Sequence, residues 1–246
     1  STNFYFVSPL GSSFRLLGDN TDLELISKIK DGNFKNTNTG LFFSDLYSSL
    51  EYDSSYGVKD GFASIKINGT PVKFDIRKGK ENGSYNTQLV ANDIFSVKKI
   101  LSTVEIKEEL RGSSRFKIKL TLPSFIKQEP FIDPEIEVLS NLVGISVNLP
   151  DPFVKPVDSI VDFRLTFKSF LNKPPQLDFK YGDLFRGKFK FQHNITEGFV
   201  IAGKKKQSIS IEPEKILLIG ELKKLDLGSF MSFGMFEGEG SGNFFI

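Results

Sequence analysis

The feature that most constrains this chain is an alternation of apolar and polar residues with a period of two, broken at short intervals by glycine, proline or asparagine. In SIKINGTPVKFDIR, Ile65 and Ile67, then Val72, Phe74 and Ile76, share one face, while Lys66, Lys73, Asp75 and Arg77 take the other. Successive side chains of an extended strand point to opposite faces, so this spacing makes half-buried strands. Asn68-Gly69 stands between the two runs and supplies the positive-φ residues of a two-residue hairpin turn. The same reading fits SRFKIKLTL through Phe116, Ile118, Leu120 and Leu122, and VDFRLTFKSF through Val161, Phe163, Leu165 and Phe167. PQLDFKY, GKFKFQHN, EGFVIAG, QSISIEP and KILLIG follow, each short and punctuated, with the spacing of a sandwich or jelly roll. The expected fold class is mainly β, with two antiparallel β-sandwich-like domains.

One stretch departs from the pattern. ANDIFSVKKILSTVEI sets Ile94, Val97, Leu101 and Val104 on one helical face behind a possible Asn92 cap, so a single helix of about three turns is expected in the first domain. Pro150, Pro152 and Pro156 crowd VNLPDPFVKPVDS and stiffen the chain there. This places the domain boundary near residue 155, giving units 1–155 and 156–246, with a rival boundary near 131 at PSFIKQEPFIDPE.

Composition then excludes several chemistries. The chain has no cysteine, which removes disulfides, thiolate metal sites and cysteine nucleophiles and fits a reducing cytoplasm. Its 32 basic and 30 acidic residues nearly balance, so no global field drives binding to nucleic acid. GKKKQ at 203–207 reads as a solvated hairpin tip. No segment approaches the ~20 apolar residues of a membrane-crossing helix, and STNFYFVSPLGSSF lacks the basic and long apolar regions of a secretory leader. His193, the only histidine, sits at spacing two from Phe189 and Phe191 and caps a strand face in this reading. Glu108-Glu109 and the Glu237/Glu239 pair are too close in sequence to flank a scissile bond, and GEGSGN at 238–243 is a turn. No catalytic, cofactor or metal residues are therefore expected, nor is the chain expected to be an enzyme. The Asn-x-Ser/Thr triplets at 68, 82 and 194 are read as unmodified. With 26 Phe and no Trp, the aromatics suit packing and protein contacts better than sugar stacking. The final stretch GSFMSFGMFEGEGSGNFFI places Phe236, Phe244, Phe245 and Ile246 as candidate interaction residues, because apolar side chains of opposite parity cannot all enter one interior.

Taken in order, a β domain with one helix, a strand running into ISVNLPDPF, and a second β domain opening at a proline-rich link resemble the distal tail proteins of long-tailed bacteriophages. Asp151, Pro152 and Phe153 are similar to the Asp-Pro-aromatic step that closes their first domain. PPQLDF, ITEGFVIAGKKKQSISI and LDLGSFMSFGMFEGEGSGNFFI resemble the opening strand, hairpin and closing strand of their galectin-like second domain. The resemblance implies a structural virion protein assembled in the host cytoplasm. It would form a homo-oligomeric ring, a hexamer, linking tail tube protein to tail tip or baseplate proteins, without nucleic-acid recognition or membrane insertion. The alternative is a secreted adhesin or carbohydrate-binding β-sandwich module.

Overall fold

The structure is a computed structural model that describes residues 4–7, 13–17, 24–35, 42–53, 57–67, 69–81, 83–100, 109–124, 132–149, 151–170, 173–192, 195–203 and 215–221. It is mainly β. The strands are β1 (Phe4–Val7), β2 (Ser13–Leu17), β3 (Glu24–Lys35), β4 (Phe42–Asp53), β5 (Gly57–Ile67), β6 (Thr70–Glu81), β7 (Ser84–Ser96) and β8 (Leu110–Pro123). They continue with β9 (Glu135–Ser140), β10 (Ile145–Val147), β11 (Phe163–Lys168), β12 (Gln176–Tyr181), β13 (Phe185–Gln192), β14 (Ile195–Ala202) and β15 (Ile216–Gly220). All belong to one 15-stranded sheet in which each strand lies beside its sequence neighbour, except that β10 leaves the path to pair with β8 while β9 pairs with β11. The pairs are antiparallel apart from β14 with β15, which run parallel.

The hairpin expected at Asn68-Gly69 is present, with Ile67 opposite Thr70 and Gly69 at φ 76°. A second two-residue turn brings Glu81 opposite Ser84, with Gly83 at φ 87°. Its Asn82-Gly83 pair carries the same signal as the first.

The helix is a correction. Asn92 and Ile94 lie within β7, Ile94 is 57% exposed, and among the described residues only Val97–Ile100 is helical. Leu101 and Val104 lie outside the described residues. The strand wins because β7 pairs with β8 as far as Ser96 opposite Ser113, and because Phe95 buries itself edge-on against Phe116 with ring centroids 6.1 Å apart. Burying a phenyl ring contributes roughly 1.5–3 kcal/mol, more than the small propensity differences along this stretch.

The proline-rich stretch does not interrupt the ladder. Phe163 pairs with Ser140 and Lys168 with Glu135, so β9 and β11 are direct neighbours across residues 141–162. β11–β15 share the one sheet, while QSISIEP and residues 222–246, which the galectin-like reading also counts as strands, lie outside the described residues.

Candidate functional site: the two faces of the sheet

Register carries the alternation of each strand onto its neighbours. Ile65 is opposite Val72, Ile76 opposite Leu89, Leu89 opposite Leu120, Leu120 opposite Ile136, Ile136 opposite Phe167, Phe167 opposite Leu177, and Leu177 opposite Phe189. Because side chains directly opposite each other share a face, one face of the sheet is apolar from β5 to β13. It continues through Val200 on β14 and Leu218 on β15, which pair in parallel register. At ~4.8 Å per strand this face runs on the order of 45 Å across the strands.

One end of the apolar face is closed by the segment between β9 and β11. Leu142, Ile145 and Val147 join Ile65, Val72, Ala91, Phe95 and Phe116 in a single buried cluster, with Leu149, Val161, Phe163 and Tyr181 packed against it. Phe153 extends the cover to β13 by stacking on Phe185, centroids 4.7 Å apart and planes 3° from parallel. Burial pushes the Tyr181 phenol above its ordinary pKa. The segment is pinned to β8 at two glycines. Ser113 N–H donates to the Gly144 carbonyl at 3.1 Å, and Gly112 and Gly144 both have positive φ, 102° and 92°. A Cβ on either would run into the carbonyl of the other strand, so only glycine allows this approach. Lys155 is 2% exposed, and its Nζ donates to the carbonyls of Ile145 at 2.7 Å and Pro156 at 3.1 Å. Desolvation by burial holds its pKa below the ordinary value, against the opposing pull of Asp158.

At the other end the same face is half-buried or open. Leu120, Leu122, Leu177 and Phe189 are half-buried, Ile136 is exposed, and Leu218 is 65% exposed. Two inward glycines shape this end. Gly187 and Gly198 leave room for the rings of Phe179 and Phe189, which lie parallel at 6.0 Å. The surface they form offers carbon and aromatic contacts with few hydrogen-bonding groups.

The opposite face is charged. On β9 to β13 the outward residues include Glu135, Glu137, Arg164, Lys168, Asp178, Lys180, Arg186, Lys188 and Lys190. They surround a shallow depression of about 720 Å³. Ion pairs join Arg164 to Glu137 (2.6 Å), Lys119 to Glu137 (3.6 Å), Lys168 to Glu135 (2.8 Å) and Lys188 to Asp178 (3.4 Å). The hydrogen bond from Lys168 to Glu135 raises the pKa of that ammonium.

Of the residues singled out from the sequence, Phe153 lies in the closing segment. Glu109 offers its backbone carbonyl to Asn148 N–H at 2.9 Å. His193, the 204–207 portion of GKKKQ, and the interaction candidates Phe236, Phe244, Phe245 and Ile246 lie outside the described residues. Among the described residues no three metal-ligating side chains cluster, and no helix is long and apolar enough to cross a membrane. Sequence reasoning missed the basic residues facing outward on β11, β12 and β13. Their signal is present as the polar parity of strands whose apolar parity was read.

Searches of curated proteins and of solved structures found no match. The family model described as YhdP protein matches residues 14–239, nearly the whole of the 246-residue chain and every strand from β3 to β15. This overturns the resemblance to phage distal tail proteins, and with it the reading as a virion tail and baseplate component: the family is a bacterial one. The tail resemblance rested on an Asp-Pro-aromatic step and glycine-bearing turns, which any strand-rich chain with proline links can contain, whereas the family match extends through all the strands between. The chain belongs to the bacterial YhdP family.

Proposed function

We propose that this chain is a non-enzymatic binding platform that holds long apolar chains, of the acyl type, against the apolar face of its sheet. The observation behind this reading is that a continuous row of inward positions in register is apolar from β5 to β13, while residues 141–162 cover one end of the face and Ile76 is buried with Val58 and Ala63. A contiguous apolar strip that its own chain leaves partly open marks an interaction surface. Its occupant needs no directional hydrogen bonds, because Leu120, Leu177, Phe179 and Phe189 offer none. A hydrocarbon chain meets that requirement with dispersion contacts and removal of apolar area from water. A partner protein docking on the same strip would have to satisfy its own backbone polar groups against a surface that cannot pair them. In this proposal the expected units 1–155 and 156–246 are two runs of strands on one platform, joined where β9 meets β11.

The test is titration of the full chain with a fluorescent fatty-acid probe, followed by displacement with an unlabelled fatty acid. Saturable binding is expected, and Phe167→Lys with Leu177→Lys at the open end should weaken it tenfold or more. Circular dichroism monitors folding, and the milder Leu177→Ala should weaken binding while leaving the spectrum unchanged. Absence of saturable binding to wild type, or full binding by the folded double variant, overturns the proposal.

A further inference from the structure

The charged face sets three cations directly opposite one another on adjacent strands. Arg164 on β11 is directly opposite Lys180 on β12, and Lys180 is directly opposite Arg186 on β13. Three cations thus stand in one cross-strand row, although like charges directly opposite each other destabilise a sheet. The parallel rows differ. In one, Glu137, Thr166, Asp178 and Lys188 follow each other, and in the next, Glu135, Lys168, Gln176 and Lys190, so acids and cations are interleaved. The carboxylates there are already engaged with Arg164, Lys119, Lys168 and Lys188. Lys180 is exposed and has no ion-pair partner among the described residues. Arg164 touches Glu137 but is 61% exposed, so donors of its guanidinium remain turned to solvent.

We propose that the Arg164–Lys180–Arg186 row is a binding site for a phosphate-bearing ligand. The three cations border a depression of about 720 Å³, within the usual range of small-ligand sites. A carboxylate brings one charge and two oxygens, which one guanidinium satisfies. A phosphate monoester brings a charge of about −1.5 to −2 and three acceptor oxygens, matching three cations carried on successive strands that lie ~4.8 Å apart. The site lies on the face opposite the apolar strip, so it does not depend on the acyl-binding reading.

The experiment uses the full chain at constant ionic strength set with chloride. Calorimetric titration with pyrophosphate tests a free phosphate ligand, and flotation with phosphatidic-acid vesicles against phosphatidylcholine vesicles tests a lipid headgroup. Wild type is expected to bind at least one of these saturably, with pyrophosphate binding assigning a free phosphate source and binding only to phosphatidic acid assigning a headgroup. Lys180→Gln with Arg186→Gln should weaken that binding tenfold or more, with circular dichroism showing that the fold is retained. A matched loss of charge elsewhere on the same face, Lys73→Gln with Arg77→Gln, should leave binding within twofold. Failure of wild type to bind either probe, or equal weakening by both pairs, overturns the proposal.

Discussion

Gly144→Ala is the sharpest test of how the end of the apolar face is closed. Gly144 sits at φ 92°, where an alanine is strained by about 1–3 kcal/mol. The added methyl also meets the carbonyl of Ser113, so the strands must separate. Separation weakens the 3.1 Å bond from Ser113 N–H to the Gly144 carbonyl, a loss of about 0.5–1.5 kcal/mol. The expected total is about 2–4 kcal/mol, and because Leu142, Ile145 and Val147 would lift away from Phe95 and Phe116, the variant should also expose apolar surface at that end. Urea denaturation read by circular dichroism gives the first quantity, and the rise in fluorescence of an apolar dye in native buffer gives the second. A loss under about 0.5 kcal/mol with unchanged dye binding would refute the claim that the glycine contact with β8 holds the closing segment down, since surface changes away from special sites fall within that range.

Val72→Ala, at a position 1% exposed, should cost about 2 kcal/mol in the same denaturation assay, as expected for removing buried methyl groups with partial collapse of the site. Glu137→Gln should cost less than about 1 kcal/mol, and the loss should shrink in high salt, because Arg164 is largely exposed even though Glu137 itself is only 14% exposed. Lys155 gives a pH signature. Its folded pKa lies below the ordinary 10.5, so between the two values the unfolded chain binds more protons and stability rises with pH. The stability of wild type minus that of Lys155→Met should therefore be flat near neutrality and climb as pH approaches 10.5, and a falling difference measured by urea melts across that window would contradict the assigned burial.

The strands were legible because their signal is local. Ile65, Ile67, Val72, Phe74 and Ile76 announce both the strand pair and its face, and Asn68-Gly69 announces the turn. The helix over Ile94 and Val97 was misread because Val97 does lie in a helical turn, while Phe95, two residues after Asp93 on the same strand face, is pulled into the core by Phe116 on β8. That partner is distant in sequence, and a helical periodicity count cannot see it. The glycines at 112 and 144 were invisible for the same reason, since each matters only through the other's strand. The basic row is a third case. Arg164, Lys180 and Arg186 are unremarkable outward residues in their own strands and become a row only through the register of β11, β12 and β13.

The expectation of two sandwiches came from a property that a sandwich and a single long sheet share. In both, every strand presents one apolar and one polar parity, so alternation alone cannot choose between them. The connections can. Two-residue turns after Ile67 and Glu81 force consecutive strands to be neighbours, and the short link from Tyr181 to Phe185 does the same for β12 and β13. A chain that keeps making such turns builds a meander, whereas a Greek-key sandwich requires longer connections that carry strands to the other sheet. The strand lengths agree, because β7 has 13 residues and β8 has 14, more than twice the usual five or six. In a sandwich each sheet covers the apolar face of the other. In a meander that obligation passes to whatever else can lie along the face: the segment between β9 and β11 covers one end, and Ile76 is buried in a second cluster with Val58 and Ala63. The open remainder from Leu120 to Leu177 and Phe189 follows from a register that places these apolar residues of β8, β12 and β13 on the same side, and it is the surface on which the proposed apolar ligand would lie.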